Sequence, residues 1–191
     1  SMDVDLFGFD PDFTVPVICV ESPFTVSHTG GNYQEWSFGD GNTSTDVVAT
    51  HTYEAIGTYP ISLYVTNADG CDATLSKLVD VNPTPVAKIA TPDRTKYCPE
   101  QPISVELLAV NNSGAAYTYE WYSVGNATSF ATTNTTTVTT TGSYYAIFTN
   151  EFGCSSYSDT ISVSYISCGG GCQMEAHTAD FTYDALACGE V

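Results

Sequence analysis

Between Tyr59 and Thr66 the side chains alternate without a break, Tyr59, Ile61, Leu63 and Val65 against Pro60, Ser62, Tyr64 and Thr66. A period of two sends successive side chains to opposite faces of an extended chain, so this run predicts a strand with one buried face. Upstream, Trp36 and Phe38 share a face and run into Gly39-Asp40-Gly41, a core strand ending in a sharp turn. Ile103/Val105/Leu107, Tyr117/Tyr119/Trp121, Tyr144/Ala146/Phe148 and Ile161/Val163 carry the same alternation. Half-buried strands of this kind in both halves make the chain all-β.

The two halves share a skeleton. Cys19, Trp36, Gly57-x-Tyr59 and Asn67-x-x-Gly70-Cys71 are matched by Cys98, Trp121, Gly142-x-Tyr144 and Asn150-x-x-Gly153-Cys154. Asn-x-x-Gly is a tight-turn signal, so Cys71 and Cys154 fall just past a hairpin tip. Each unit thus offers one cysteine before its second strand and one in its last hairpin, predicting Cys19–Cys71 and Cys98–Cys154. Such bridges close loops of roughly 50 residues, each contributing roughly 4 kcal/mol in the chain-entropy model. They lie at a sandwich pole, leaving Trp36 and Trp121 to pack on aliphatic side chains. Tyr59 and Tyr144 follow a glycine at a strand start, where a phenol can bond upstream backbone.

The predicted organisation is a sandwich over 3–82, a stiff proline connector at 83–85, a second sandwich over 86–166 and a Gly/Cys linker over 167–175. Residues 176–191 form the first strand of a further repeat, because Ala179-Asp180-Phe181-Thr182-Tyr183 followed by Cys188 mirrors Pro11-Asp12-Phe13-Thr14-Val15 followed by Cys19. The chain therefore reads as a segment of a longer polypeptide. Cys168 and Cys172 are expected to close a small loop, with a bond from either to Cys188 as the alternative. None of the seven cysteines stands in a Cys-x-x-Cys pair, so oxidised bridges and an oxidising compartment are favoured over zinc.

The order Trp36-x-Phe38-Gly39-Asp40-Gly41, His51-Thr52-Tyr53, Gly57-x-Tyr59 and Asn67-x-x-Gly70 resembles the PKD (polycystic kidney disease) domain family. Ser37 departs from it, since the family usually has Asp there. The resemblance covers about residues 9–82 and implies a small extracellular β-sandwich. Residues 86–166 lack Phe-Gly-Asp-Gly and His-Thr-Tyr and instead resemble an immunoglobulin-like domain of bacterial surface proteins. Together they resemble tandem, disulfide-bonded arrays in Bacteroidetes adhesins and type IX-secreted proteins.

Four basic residues stand against 22 acidic ones, a net charge of −18 that repels phosphate backbones and anionic lipid. Nucleic acid is therefore not an expected partner, nor is membrane insertion, because no apolar run reaches the ~18 residues that span a bilayer. Asp10 and Asp12 at the N-terminal entry, with Asp69 and Asp72 around the Gly70-Cys71 turn, are the candidates for a calcium site if the two ends meet. Asp40 is read as a turn residue bonding nearby backbone, and His51 as a tie across the sandwich end. Tyr119, Tyr122, Tyr145 and Tyr157 are the candidates for an exposed aromatic strip that would bind glycan or protein. Residues 128–141, rich in threonine, read as an exposed polar edge strand or loop. Asn42, Asn111, Asn126 and Asn134 fit Asn-x-Ser/Thr, and Asp159-Thr160-Ile161 resembles a Bacteroidetes O-glycosylation motif. With no nucleophile–base or paired-carboxylate signature, no catalytic residue is assigned. The expectation is a monomeric, non-catalytic spacer or adhesion module, secreted or on a cell surface, whose partners are neighbouring domains. The alternative is a polysaccharide- or protein-binding accessory module of a secreted hydrolase.

Overall fold

A computed structural model describes residues 11–29, 32–111 and 116–168. Asp10, Cys172, Cys188 and the repeat start at 176–191 lie outside the described residues, as do 3–10 of the first predicted segment. All sixteen described elements are strands. In the first half, β1 (Asp12–Phe13), β3 (Phe24–Thr29) and β6 (Val48–His51) form one sheet in the order β1-β3-β6. Facing it are β2 (Ile18–Cys19), β4 (Tyr33–Ser37), β5 (Thr43–Ser44), β7 (Gly57–Thr66) and β8 (Asp72–Asn82), ordered β2-β8-β7-β4-β5.

The second half repeats the plan. A three-stranded sheet holds β13 (Thr135–Val138), β11 (Val105–Ala109) and β9 (Ile89–Ala90). Its partner holds β10 (Lys96–Tyr97), β16 (Ile161–Tyr165), β14 (Gly142–Asn150) and β12 (Tyr117–Ser123), with β15 (Ser155–Tyr157) beside β14. The threonine-rich stretch supplies β13, an edge strand. In both halves the entering chain starts on one sheet and then crosses to the other. There it runs parallel to the last strand, Cys19 opposite Asn82 in the first half and Tyr97 opposite Tyr165 in the second.

Two cores result, with no shared residue. Trp36, Phe38, Tyr53, Ile61, Leu63 and Val65 are almost fully buried in the first, and Trp121, Val105, Leu107, Ala146 and Phe148 in the second. These are the inward positions of the alternating runs. At roughly 25 cal/mol per Å² of apolar surface, each buried branched or aromatic side chain contributes about 1.5–3 kcal/mol. The indole N–H of each tryptophan is satisfied by a backbone carbonyl, Asp46 at 3.1 Å and Thr133 at 2.8 Å. The ring neighbours of Trp36 are aromatic: Phe13 stands edge-on at 5.2 Å and His28 lies at 5.9 Å. Both Gly-x-Tyr steps fold alike. The Tyr59 and Tyr144 phenols reach back four residues to the carbonyls of Ala55 and Thr140, and each ring lies over its glycine, where a Cβ would crowd it at 3.3 Å.

Gly39 is where the first core strand turns. Its φ is 78°, and a Cβ there would sit 2.5 Å from Pro60 Cδ and 2.7 Å from the Pro60 carbonyl oxygen. Gly41 has φ 98° but nothing within 4 Å. Gly39→Ala is expected to cost about 3 kcal/mol, strain plus clash, and Gly41→Ala about 1 kcal/mol from strain alone. Urea unfolding of the two variants checks this, and equal losses would reject the steric account.

Candidate functional site

The PKD-like residues converge at one end of the first core. Asp40 Oδ1 accepts from the Asn42 backbone at 3.0 Å, while Oδ2 meets the Asn42 side-chain amide at 3.0 Å and His51 Nε2 at 2.8 Å. The His51 ring stacks on Phe38 at 4.1 Å and stands edge-on to Tyr53 at 4.6 Å, and Tyr53 stacks on Tyr59 at 4.3 Å. The Tyr53 hydroxyl donates to the Phe38 carbonyl at 2.7 Å. Its ionisation is pushed far up by burial first, then by the nearby Asp40 charge and Tyr59. Burial alone would raise the Asp40 carboxyl, but the hydrogen bonds from Asn42 and from His51 together hold it below the usual carboxylate value. The Asp40 carboxylate, the Asn42 amide, one His51 ring nitrogen and the Tyr53 hydroxyl are thus engaged within the knot, which fastens the Gly39–Gly41 turn to β6 and the chain after it.

Where a folded-state carboxyl is depressed, its stabilisation is complete above the unfolded value and is lost as pH falls through the folded one. Wild-type stability should therefore drop more steeply below about pH 4 than that of Asp40→Asn. Guanidinium unfolding between neutral and acid pH gives the difference between the two curves, and parallel curves would contradict the assignment.

Of the expected calcium ligands, Asp10 lies outside the described residues and Asp12, Asp69 and Asp72 do not assemble. Asp12 Oδ1 is held by Lys77 Nζ at 2.8 Å, which with a bond from the Phe13 backbone lowers its carboxyl. Lys77 also donates to the Phe13 carbonyl and lies 4.8 Å over the Phe13 ring, tying β8 to β1 across the two sheets. Asp69 and Asp72 flank the β7–β8 tip, at least five residues along β8 from that tie. Among the described residues no three His, Cys, Asp or Glu side chains converge as a metal site.

Of the tyrosines, three assemble and one does not. Tyr122 on β12 stacks on Tyr145 of β14 with centroids 5.4 Å apart, and Tyr145 contacts Tyr157 of β15 at 6.1 Å. These side chains share the outer face of the sheet, and Tyr157 is 70% exposed. Tyr119 lies two residues from buried Trp121 and so points inward, packing edge-on against Phe148 at 5.1 Å. It belongs to the core and not to the strip.

The cysteines pair differently from the sequence expectation. Cys19 bonds Cys154 and Cys98 bonds Cys168, both with Cα atoms 5.7 Å apart, while Cys71 is free. The reason is strand length. Cys19 lies beside Asn82 at the end of β8, whereas Cys71 precedes its first residue. Eleven residues at about 3.3 Å each put the two at opposite poles, about 35 Å apart. Cys98 and Cys154 are separated in the same way along the last strands of the second half. Cys19–Cys154 instead joins the two halves around the proline connector. There Asn150 Nδ2 donates to the Pro83 carbonyl at 2.7 Å and Ser156 Oγ to the Pro85 carbonyl at 2.6 Å. The shared Asn-x-x-Gly-Cys turn marks Cys71 and Cys154 as equivalent, but the pole of Cys19 and Cys98 follows only from their parallel register beside the last strands.

The fold is all-β, two sandwiches in tandem, and residues 22–81 match the model of the PKD domain family. A segment of 47 residues is 45% identical to a microbial collagenase from Vibrio alginolyticus, covering 25% of this chain but 6% of the collagenase. The PKD1 domain of the Vibrio cholerae metalloprotease PrtV is 28% identical, with a TM-score of 0.32 over 38% of this chain and 94% of that domain. A C-terminal fragment of intimin, solved with the intimin-binding domain of its translocated receptor, is 16% identical. It aligns over 82% of this chain and 64% of the fragment with a TM-score of 0.41. The described residues contain no helix long and apolar enough to cross a membrane.

Proposed function

We propose that this chain is a non-catalytic extracellular spacer, two domains over 3–82 and 86–166 that hold other domains of the same polypeptide at a set distance. The observation that carries this reading is the Cys19–Cys154 bond across the Pro83–Pro85 connector. A covalent tie beside a proline pair, with Asn150 and Ser156 bonded to connector carbonyls, removes the hinge freedom that a bare linker leaves between domains. PKD domains accompany secreted proteases as accessory modules, which supports an extracellular, oxidising location. The strong acidity suits a surface that must stay soluble and unattached. The parent is a large bacterial surface or secreted protein of the Bacteroidetes adhesin or type IX-secreted kind.

Small-angle scattering tests the spacer reading. Oxidised wild type should scatter as one rigid body, and Cys154→Ser should broaden the distance distribution and raise the radius of gyration. Identical curves, both those of a flexible pair, would sink it.

One observation favours the second reading, an accessory module that binds polysaccharide. The Tyr122–Tyr145–Tyr157 ladder presents aromatic surface on an open sheet face, and neutral sugars escape the repulsion that −18 imposes on anions. Affinity electrophoresis in neutral polysaccharides should then retard wild type and release Tyr145→Ala and Tyr157→Ala. Unretarded wild type removes this reading and leaves the first intact.

A further inference from the structure

The two hairpin tips are built alike. Asn67 Oδ1 accepts from the Asp69 and Cys71 backbones at 3.0 and 2.9 Å, and Asn150 Oδ1 from Phe152 and Cys154 at 3.1 and 2.9 Å. Asn67 and Asn150 donate to the Cys71 and Cys154 carbonyls at 2.9 and 3.0 Å, and Gly70 and Gly153 have φ of 83° and 88°. Cys71 is therefore set in the first sandwich as Cys154 is in the second. The independent observation is what Cys154 does: it bonds the exit-pole cysteine of the sandwich before it, Cys19. The exit-pole cysteine of the second sandwich, Cys98, is oxidised too, though its partner is Cys168 just past the last strand of the same half. Of these four equivalent places Cys71 alone holds a thiol, half exposed.

The chain also enters the first sandwich at the pole that carries Cys71. Asp12 pairs with Thr29, and the Asn32 backbone just beyond donates to Thr66, the last residue before the tip. A sandwich upstream that joined the first as the first joins the second would bring its exit pole to Cys71. A head-to-tail contact of this kind repeats without closing, which is how arrays extend.

We propose that Cys71 is one half of a second head-to-tail disulfide, formed with a cysteine at the exit pole of another β-sandwich upstream in the same polypeptide. The inference rests on the spacer reading. Its partner is recognisable in chemistry and in sequence, because the exit-pole cysteines here stand in Cys19-x-Glu21-x-Pro23 and Cys98-x-Glu100-x-Pro102. Forming the bond takes two protons and two electrons from the two thiols. A thiol–disulfide oxidoreductase or a small-molecule disulfide accepts them and is itself reduced to two thiols. A same-chain partner is favoured because linkage through one polypeptide raises the effective concentration of the two poles, which a separate copy lacks.

The test is non-reducing peptide mapping of the polypeptide as its own cells release it, with free thiols alkylated at harvest. The expected result is Cys71 unlabelled and linked to a peptide carrying Cys-x-Glu-x-Pro from outside residues 1–191, a link lost in Cys71→Ser while Cys19–Cys154 stays. Alkylated Cys71 overturns the proposal, as does a bond to Cys172, to Cys188 or to Cys71 of a second copy. A free Cys71 in a protein that still scatters as one rigid body would reject this inference and leave the spacer reading standing.

Discussion

The arrangement depends on one crossing. In each half the entering chain leaves the sheet on which it began and runs parallel to the final strand of the other, Ile18–Cys19 beside Val81–Asn82 and Lys96–Tyr97 beside Ser164–Tyr165. That crossing closes the sandwich edge and covers strand ends that would otherwise be unpaired. It also carries Cys19 and Cys98 to the pole where the chain leaves. From there Cys19 can meet only what comes next along the chain, and the Asn150–Cys154 turn is what comes next.

Much of the fold was legible from alternation, because a half-buried strand writes its inward face directly into the sequence. Ile61, Leu63, Val65 and the two tryptophans are buried where a period of two places them. The same parity marks Tyr119 as inward, since it stands two residues from Trp121, and an aromatic count without that parity misassigns it. What alternation does not carry is which end of a strand lies beside which end of another. The cysteine pairing turned on that quantity alone: the repeat identified equivalent cysteines, and only the parallel register showed that two equivalents in one half sit at opposite poles. The three described calcium candidates stay apart for a related reason, since Asp12 faces Lys77 on β8 and Asp69 and Asp72 stay at the β8 start.

Scarce positive charge is placed with economy in an acidic chain. Lys77 bonds Asp12 and lies over Phe13, and Arg94 lies 4.6 Å over the Tyr97 ring. Both rings sit on the short strands of the entering chain, β1 and β10, where few ladder bonds are available to hold them. A cation on an aromatic face there is worth about 0.5–1 kcal/mol, comparable to a backbone bond that so short a strand cannot make.

The Cys19–Cys154 bond also decides where a pulling force travels. Tension arriving from the amino side passes through sulfur at Cys19 and re-enters the backbone at Cys154, stepping over 135 positions of sequence in one covalent stride. What lies between, most of the Trp36 core and most of the Trp121 core, hangs in a slack loop that feels none of the load. Only the entering strands β1 and β2 and the final strands β15 and β16 remain in series before Cys168. A filament made this way would barely lengthen under drag until its sulfur links were reduced, and would then pay out abruptly.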